Sequence, residues 1–218
     1  MTSNWAVAVE GISGTGGTLR QDFFKEEYKL NNAIGTLKTP YVALIDGITM
    51  GGGVGLSVHG HFRVGTERTL FAMPETGIGL FPDVGGSFFL PKLQGELGTF
   101  LALTGERLKG YDVHHAGVAT HYVSSDKISD LEENMLLMEK PTLKTILEMI
   151  EKYHKESVSK ITTDFSLSPH LECINRCFAK ESMEEIMEEL EKEGTEWAMS
   201  KINVSDEFNT GADFLSWN

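Results

Sequence analysis

The chain has 218 residues, of which 40% are hydrophobic and 23% charged, and its formal net charge is −13 at pH 7. This length and hydrophobic fraction suit one domain or slightly more with a sizeable core, and they argue against a disordered chain. No apolar run reaches the roughly 18 residues that span a bilayer, so we expect no membrane-spanning segment. The acidity argues against a nucleic-acid partner, which needs a basic face on the protein.

The cysteine content and the first residues bear on the compartment. Two cysteines are too few for a disulfide framework, which favours a reducing compartment. Cys173 and Cys177 are one helical turn apart, which predicts two small buried side chains. The first residues resemble neither a signal peptide nor an Arg-rich transit peptide, so we expect no presequence in this chain.

The composition changes after Val123. Residues 1–123 hold 21 of the 23 glycines and a net charge of −2, whereas residues 124–218 hold two glycines and a net charge of −11. The first composition is typical of turns and strands around a site, and the second of surface helices. We therefore predict a partial α/β core over residues 1–123, a helical extension over residues 124–203 and a divergent tail over residues 204–218.

Hydrophobic periodicity predicts strands and helices that alternate along the chain. The clearest strand is residues 41–45, an unbroken apolar run before the Asp46-Gly47 turn signal, which is typical of a strand buried on both faces. The other predicted strands cover residues 61–65, 69–72 and 118–123. The predicted helices cover residues 23–30, 97–103, 125–139, 142–154, 169–178 and 183–193. We expect Pro141 in the first turn of one helix and Ser182 as the cap of another. The pattern predicts an α/β fold followed by an acidic helical region.

The first candidate site is the glycine-rich loop at residues 50–55, which follows the buried strand. Glycines let a backbone approach a ligand closely, and free N–H groups before a helix can bind a developing oxyanion. The loop is not a phosphate-binding P-loop, since no Lys-Ser/Thr follows it, and its spacing does not match the dinucleotide-binding fingerprint. Taken alone, such a loop more often reflects tight packing than function.

The second candidate site is the segment at residues 73–86, which holds two carboxylates, Glu75 and Asp83, among apolar residues, glycines and prolines. Apolar neighbours desolvate a carboxyl and raise its pKa towards the range of general acid/base catalysis. The alternative is one cap or turn acid and one exposed loop acid. The residues alone leave both interpretations open.

Two histidine pairs are weaker candidates. His59 and His61 stand two apart, which in a strand places both on one face, but a metal site needs a third ligand and none has a recognisable spacing. The His114-His115 pair has the same weakness, and we expect it on a helix surface. Both pairs are interpreted as structural.

Residues 23–123 resemble the enoyl-CoA hydratase/isomerase (crotonase) superfamily. The segments that carry the resemblance are FFKEEY at residues 23–28, PYVALIDGITM and its glycines at residues 40–53, residues 73–86, LALTG at residues 101–105 and AGVATH at residues 116–121. A weaker similarity extends to about Asn203. A strand and glycine loop followed by a Pro-Glu…Pro-Asp segment is a highly specific combination. The resemblance implies a crotonase-like ββα spiral core that is incomplete in this chain.

Two positions distinguish the branches of this superfamily. Hydratases of the crotonase type carry a catalytic Glu where this chain has Gly55, and a Gly where this chain has Asp83. This chain lacks the first acid and carries the second, and in this it resembles the 3-hydroxyisobutyryl-CoA hydrolase branch, the thioesterases of valine breakdown. The resemblance therefore implies hydrolysis of a short hydroxyacyl-CoA thioester, and a location in the mitochondrial matrix.

The resemblance also implies roles for particular residues. The Gly52 N–H, next to Gly51, donates to the thioester oxygen, and Glu27 contacts the substrate. Glu75 attacks the carbonyl or activates water, and these two alternatives stay open; Asp83 assists by proton transfer and by positioning the acyl group. We expect no metal and no redox cofactor, since CoA arrives as part of the acyl-CoA substrate. The oligomeric state stays open.

The chain departs from the family pattern at both ends. The family's Ala-Gly-Gly-Asp loop, which supplies the other oxyanion donor, is expected ahead of Phe23, where residues 14–18 are a candidate remnant. The family's terminal helices are expected beyond about Asn203. We therefore expect a chain truncated at both ends. Three hypotheses stand: a hydroxyacyl-CoA hydrolase, an enoyl-CoA hydratase or isomerase, and a catalytically impaired isoform of the hydrolase.

Overall fold

A computed structural model describes residues 19–209, which form a mixed α/β fold rich in helix. The α-helices are α1 (Leu19–Thr36), α2 (Gly52–Val58), α3 (Gly86–Phe89), α4 (Leu97–Thr104), α5 (Tyr111–His115), α6 (Ile128–Leu136), α7 (Leu143–Val158), α8 (Leu171–Cys177), α9 (Met183–Glu193) and α10 (Glu196–Asn209). The strands are β1 (Val42–Ile45), β2 (Ile48–Thr49), β3 (Phe62–Gly65), β4 (Leu70–Phe71), β5 (Leu108–Lys109) and β6 (His121–Tyr122). Short 3₁₀ helices cover Pro74–Ile78, Leu90–Lys92, Ser125–Lys127 and Ser168–His170. No helix within residues 19–209 combines the length and the hydropathy that a membrane crossing needs.

The first sheet is parallel, with its strands in the order β1-β3-β6. Val42 lies opposite Phe62, and Val64 lies opposite His121. Parallel strands need a crossover connection, and the short helix α2 lies in the crossover from β1 to β3. The apolar run at residues 41–45 does form a strand, but only Ile45 of β1 is fully buried, because β1 is an edge strand among the described residues.

The second sheet has the order β2-β4-β5 and mixes the two directions. β2 and β4 are parallel, whereas β4 and β5 are antiparallel. The same turn, at Asp46-Gly47, separates β1 in the first sheet from β2 in the second. The glycine loop therefore follows β2 of the second sheet and leads into α2, which contacts β1 of the first sheet.

The two halves of the chain share one hydrophobic core. Its members include Phe71 on β4, Phe100 on α4, Ile174 on α8 and Leu190 on α9, all of them without measurable exposure. The Phe100 ring meets the Phe178 ring edge to face, with 5.2 Å between the ring centroids. A second cluster lies under α6 and α7. The division of the chain into domains at residue 123 stays a prediction.

Most of the predicted elements are found in the structure, although the predicted helix at residues 23–30 extends over Leu19–Thr36, and Tyr111–His115 and Glu196–Asn209 are helices whose ranges were not predicted. The prediction for residues 183–193 matches α9, and the Ser182 side chain accepts a hydrogen bond from the Glu185 N–H at 3.2 Å. The predicted strand at residues 118–123 is too long, because its first residues still belong to the turn after α5. The prediction for Pro141 is wrong, since the side chain of Thr142 caps α7 and the proline precedes that cap.

The predictions for the histidines and cysteines have different outcomes. His59 lies at the carboxyl end of α2 and His61 just before β3, so the prediction of one shared strand face is wrong. His115 is exposed on α5 as expected. Cys173 and Cys177 are both buried, with 3.7 Å between their sulfur atoms, which confirms their expected packing. Residues 14–18 lie outside the described residues, as does the end of the predicted tail.

Candidate active site

The glycine loop ends in a backbone conformation that only glycine adopts easily. Gly51 has φ +51° and ψ −126° and is the N-terminal cap of α2. The hydrogen bonds of the helix start at the next residues, because the Gly53 N–H donates to Met50 O at 3.1 Å and the Val54 N–H to Gly51 O at 2.9 Å. The Gly52 N–H is left outside this ladder, as N–H groups in the first turn of a helix are. No described residue accepts a hydrogen bond from it outside the helix, which leaves it available to a substrate oxygen.

Glu75 is a buried carboxyl in the 3₁₀ helix Pro74–Ile78, with only 3% of its surface exposed. Neither of its carboxylate oxygens accepts a hydrogen bond from another described residue. Burial is the main cause that raises the pKa of Glu75 to about 7; its own backbone N–H offsets part of this shift, and the negative charge of Asp83 adds to it. A carboxyl with a pKa near neutrality is well matched to proton transfer at neutral pH.

Asp83 is half-buried and has a specific partner on α1. The phenol of Tyr28 donates a hydrogen bond to Asp83 Oδ1, with 2.5 Å between the oxygens. Burial first, and then this hydrogen bond, raise the pKa of Tyr28, so the phenol keeps its proton and remains a donor. Asp83 is therefore held by a side chain from another part of the chain, and its role in catalysis stays a prediction.

Glu27, next to Tyr28 on α1, belongs to the same electrostatic group. Burial raises the pKa of Glu27, and the negative charge of Asp83 raises it further. Because Asp83 also raises the pKa of Glu75, Glu27 and Glu75 both lie within electrostatic reach of Asp83. Desolvated carboxyls whose pKa is raised further by a nearby charge are typical of functional sites.

The loop that carries Asp83 makes a strained turn. The Gly86 N–H donates to Asp83 O at 2.8 Å, and Val84 and Gly85 between them have φ of +49° and +84°, as in a type I′ turn. Val84 is the one residue other than glycine with positive φ among the described residues, and β-branched side chains disfavour that region. Such strain persists where the surroundings hold the backbone in place. Here the His59 Nε2 lies 2.7 Å from Val84 O.

Gly55 lies where α2 packs against both α1 and this turn. A Cβ at Gly55 would stand 2.8 Å from Asn31 Oδ1 and 2.8 Å from Val84 Cβ, well inside normal contact distances. A side chain at position 55, where the family resemblance implies a catalytic Glu in the hydratases, would therefore require Asn31 and Val84 to shift.

A cavity of about 360 Å³ opens beside the Tyr28–Asp83 pair. It is lined by Tyr28, Asn31, Asn32, Gly35, Thr36, His59, Gly85 and Phe88. Glu75 does not line this cavity, because its carboxylate oxygens are covered by protein atoms. The cavity therefore gives access to the side of the site formed by α1 and the Asp83 turn.

Comparison with known proteins fits this arrangement. The sequence profile of the enoyl-CoA hydratase/isomerase family matches residues 7–207. The chain belongs to the enoyl-CoA hydratase/isomerase family. The family and the crotonase-like fold predicted from the sequence are thus confirmed.

The closely similar relatives lie in one branch of the enoyl-CoA hydratase/isomerase family. The "3-hydroxyisobutyryl-CoA hydrolase, mitochondrial" of Rattus norvegicus is 57% identical over 197 residues, which are 90% of this chain and 51% of that protein. The protein of the same name from Homo sapiens is 58% identical over 182 residues, which are 84% of this chain and 47% of that protein. The predicted resemblance to the hydrolase branch is confirmed. The chain spans about half the length of the curated relatives it matches.

Solved structures of the same family share the fold. A carnitinyl-CoA dehydratase from Mycobacterium thermoresistibile aligns with a TM-score of 0.75 at 32% identity, over 92% of this chain and 56% of that chain. An enoyl-CoA hydratase from Rhodobacter sphaeroides aligns with a TM-score of 0.73 at 31% identity, over 89% of this chain and 53% of that chain. The arrangement of helices and strands is therefore that of the family.

The structure adds residues that the sequence alone did not single out. Tyr28 lies beside Glu27 in a segment that carries the family resemblance, but nothing in the sequence pairs it with Asp83. The sequence presents His59 only as half of a histidine pair, whereas in the structure it contacts the strained turn. The sequence offers one sign for each of them: Tyr28 is next to the candidate residue Glu27, and His59 lies shortly after the glycine loop.

Proposed function

We propose that this chain carries the catalytic centre of a thioesterase that hydrolyses 3-hydroxyisobutyryl-CoA to 3-hydroxyisobutyrate and CoA, a step of valine catabolism. The observation that carries the proposal is the exchange of acids between two positions of the site. An acid at position 55, as in the hydratases, would require Asn31 and Val84 to shift, whereas Asp83 is held in the site by Tyr28. The names of relatives that are 57% and 58% identical support the choice of substrate.

In this proposal, the Gly52 N–H stabilises the charge that develops on the thioester oxygen. When the carbonyl carbon is attacked, its oxygen becomes negative, and a donor already in place needs no reorganisation at that moment. One donor of this kind lowers the barrier by about 3 kcal/mol in enzymes where it has been removed. The place of Gly52 at the start of α2, where its N–H lies outside the helix ladder, supports this role.

Glu75 supplies the base or the nucleophile. With a pKa of about 7, a substantial fraction of Glu75 is ionised at neutral pH, and the ionised carboxylate either removes a proton from the attacking water or attacks the carbonyl itself. Both routes add the oxygen of one water to the acyl group and break the C–S bond, and CoA leaves as a thiol after it takes up a proton. Because both carboxylate oxygens are covered, the side chains over Glu75 must move before a carbonyl reaches it.

Asp83 lies beside the cavity wall formed by Tyr28, where it is placed to transfer a proton and to orient the hydroxyl of the acyl group. Glu27, next to Tyr28 on α1, is the proposed further contact to the substrate. The acyl-CoA thioester is the proposed partner of the site. We also propose the mitochondrial matrix as the location, because the relatives carry "mitochondrial" in their names.

The release of CoA thiol from 3-hydroxyisobutyryl-CoA by the purified 218-residue chain tests the proposal. We expect release by the wild type and its loss in Glu75→Gln, which keeps the size of the side chain and removes its charge. Glu132→Gln, at an exposed position of α6, is the matched control and should release thiol at the wild-type rate. A folded wild-type chain without release would contradict the proposal, and so would a Glu75→Gln variant as active as the wild type.

A second assay separates the hydrolase from the hydratase alternative. Hydration removes the conjugated double bond of an enoyl-CoA, so its ultraviolet absorbance falls as the reaction proceeds. We expect no fall in absorbance with the wild-type chain, because position 55 carries a glycine and no carboxylate. A fall in absorbance without thiol release would favour the hydratase.

A further inference from the structure

We propose that His59 is a positioning residue for Asp83: its imidazole Nε2–H holds the strained turn that carries the Asp83 carboxylate. The inference rests on the proposed function insofar as Asp83 takes part in the reaction. The structural part, that one hydrogen bond from His59 keeps the turn in its conformation, stands on geometry alone.

The turn needs an external support. Val84, a β-branched residue, has φ +49°, and the following Gly85 has φ +84°. Only one hydrogen bond, from the Gly86 N–H to Asp83 O at 2.8 Å, closes the turn from within. Relaxation of Val84 to negative φ would rotate the peptide that follows it, and the Asp83 side chain would move with the loop.

His59 meets the turn at the peptide that such a relaxation would rotate. Its Nε2 is 2.7 Å from Val84 O, and a carbonyl can only accept, so the imidazole is the donor and Nε2 carries the proton. The ring also fills the space beside Gly85, since a Cβ at that glycine would stand 2.5 Å from the ring carbon Cε1. His59 therefore contacts two successive residues of the turn, one by a hydrogen bond and one by packing.

The position of His59 links the turn to the glycine loop. Gly51 and Gly52 begin α2, and His59 follows the last residue of the same helix. Gly55, in the middle of α2, packs on the Val84 side chain. The helix that presents the proposed oxyanion donor thus also holds the Asp83 turn, so the two groups keep a fixed relative position.

On the opposite side, α1 holds the carboxylate itself. Tyr28 donates to Asp83 Oδ1, while the Asn31 side chain lies against Gly55. The Asp83 turn is therefore held between two helices. Of these contacts, only the one from His59 bonds to the backbone of the strained residues.

Two substitutions of His59, by side chains of similar length, separate the effect of the hydrogen bond from the effect of the packing. His59→Gln keeps an N–H donor near the position of Nε2, whereas His59→Met fills a similar space without a donor. His61→Met is the control, because His61 is half-buried nearby and accepts a hydrogen bond from the Tyr41 N–H at 3.3 Å, away from the turn. All variants are made in the full chain.

The first measurement is hydrogen exchange at the Gly86 amide, which closes the turn and reports on it whether or not the chain is active. We expect exchange to be about tenfold faster in His59→Met, since that is the effect of losing about one hydrogen bond, and close to the wild-type rate in His59→Gln and His61→Met. Gly86 exchange in His59→Met at the wild-type rate would overturn the proposal. Equal acceleration in His59→Met and His59→Gln would also overturn it, since packing and not the hydrogen bond would then hold the turn.

The second measurement is the kinetics of thiol release from 3-hydroxyisobutyryl-CoA. We expect kcat to fall by up to about 100-fold in His59→Met with little change in KM, because a small displacement of a reacting group has effects of that size, and to recover in His59→Gln. If the wild-type chain releases no thiol, the proposed function fails, and Gly86 exchange decides the proposal for His59. If thiol is released and kcat of His59→Met equals that of the wild type, the positioning role is overturned.

Discussion

The phenol oxygen of Tyr28 and Oδ1 of Asp83 are 2.5 Å apart and joined by a hydrogen bond. The contact links α1 to a loop that follows it by more than 40 residues along the chain. Hydrogen bonds to an ionised acceptor are shorter and stronger than neutral ones, and this one fixes a proposed catalytic carboxylate to a helix.

Tyr28→Phe should lower both the stability of the protein and the rate of thiol release. We expect the free energy of unfolding to fall by about 1 kcal/mol, and kcat for thiol release to fall as Asp83 loses its support. Urea unfolding and thiol release measure the two effects. Tyr111→Phe is the matched control, since no described residue bonds to its hydroxyl group, and equal losses in the two variants would contradict the prediction.

Alanine at two neighbouring glycines of α2 should change stability in opposite directions. Gly55→Ala places a methyl group 2.8 Å from Asn31 Oδ1 and Val84 Cβ, and we expect a loss of about 1–3 kcal/mol. Gly53→Ala meets no atom within 4 Å, and we expect a gain of about 0.5–1 kcal/mol, because alanine favours the helix more than glycine does. Urea unfolding of both variants is the measurement, and a Gly55→Ala variant as stable as Gly53→Ala would show that the contact yields without cost.

The stability of the protein should fall as Glu75 ionises. Because burial raises the pKa of Glu75 from 4.5 to about 7, the folded state binds its proton more tightly than the unfolded state does. The stabilisation of the folded state that comes from this tighter proton binding is fully present below pH 4.5 and is lost as the pH rises through about 7. Glu75→Gln stays neutral, so its stability relative to the wild type should rise over this range by up to about 3 kcal/mol.

Urea unfolding at about pH 5 and about pH 8 measures this difference. The exposed Glu132→Gln is the control and should differ from the wild type by the same small amount at both pH values. If the difference between Glu75→Gln and the wild type does not depend on pH, the carboxyl is not desolvated in the folded protein.

The opposite pH dependence is expected for the histidines near β6. Burial is the main cause that lowers the pKa of His114 below 6.5, and the positive charges of His154, His121 and His115 lower it further, whereas its hydrogen bond to Ala119 O opposes the shift. Burial likewise lowers the pKa of His121. The stability that these neutral imidazoles contribute is present above pH 6.5 and is lost as the pH falls through their lowered pKa values.

His114→Asn tests this expectation, because its amide keeps a donor near the position of Nδ1 and does not titrate. We expect the wild type to lose stability between about pH 7 and about pH 5, and His114→Asn to lose less. His115→Asn, at the exposed neighbouring position on α5, removes only the smallest of the charges that lower the pKa of His114, so it should keep most of the wild-type pH dependence. Identical pH profiles for the wild type and His114→Asn would contradict the prediction.

Much of the fold was accessible from the sequence because its signals are local. The apolar run at residues 41–45 and the amphipathic, capped segment at residues 183–193 specify their own secondary structure, and they form β1 and α9. The lengths of short strands and helices were harder to predict from the sequence. Residues 118–123 carry strand-forming side chains, but a turn bond from the Ala119 N–H to Val113 O at 2.9 Å takes the first of them out of the sheet.

Only part of the candidate site could be predicted from the sequence. Glu75, Asp83 and the glycine loop were singled out because charged residues in an apolar segment and clustered glycines stand out within a short stretch of sequence. Their roles stay predictions. Tyr28 and His59 were not singled out, because each acts on a residue far away in the sequence and its own neighbours give no sign of the partner.

The sequence by itself determined the family, the branch that lacks an acid at position 55, and the identity of the two candidate acids, since these depend on which residue stands at which position. Only the tertiary structure decided that the pKa of Glu75 rises to about 7, that Tyr28 binds Asp83 and that His59 contacts the Val84 carbonyl. Burial and hydrogen bonding between distant segments depend on how α1, α2 and the Asp83 turn pack together, and that packing is a property of the whole chain.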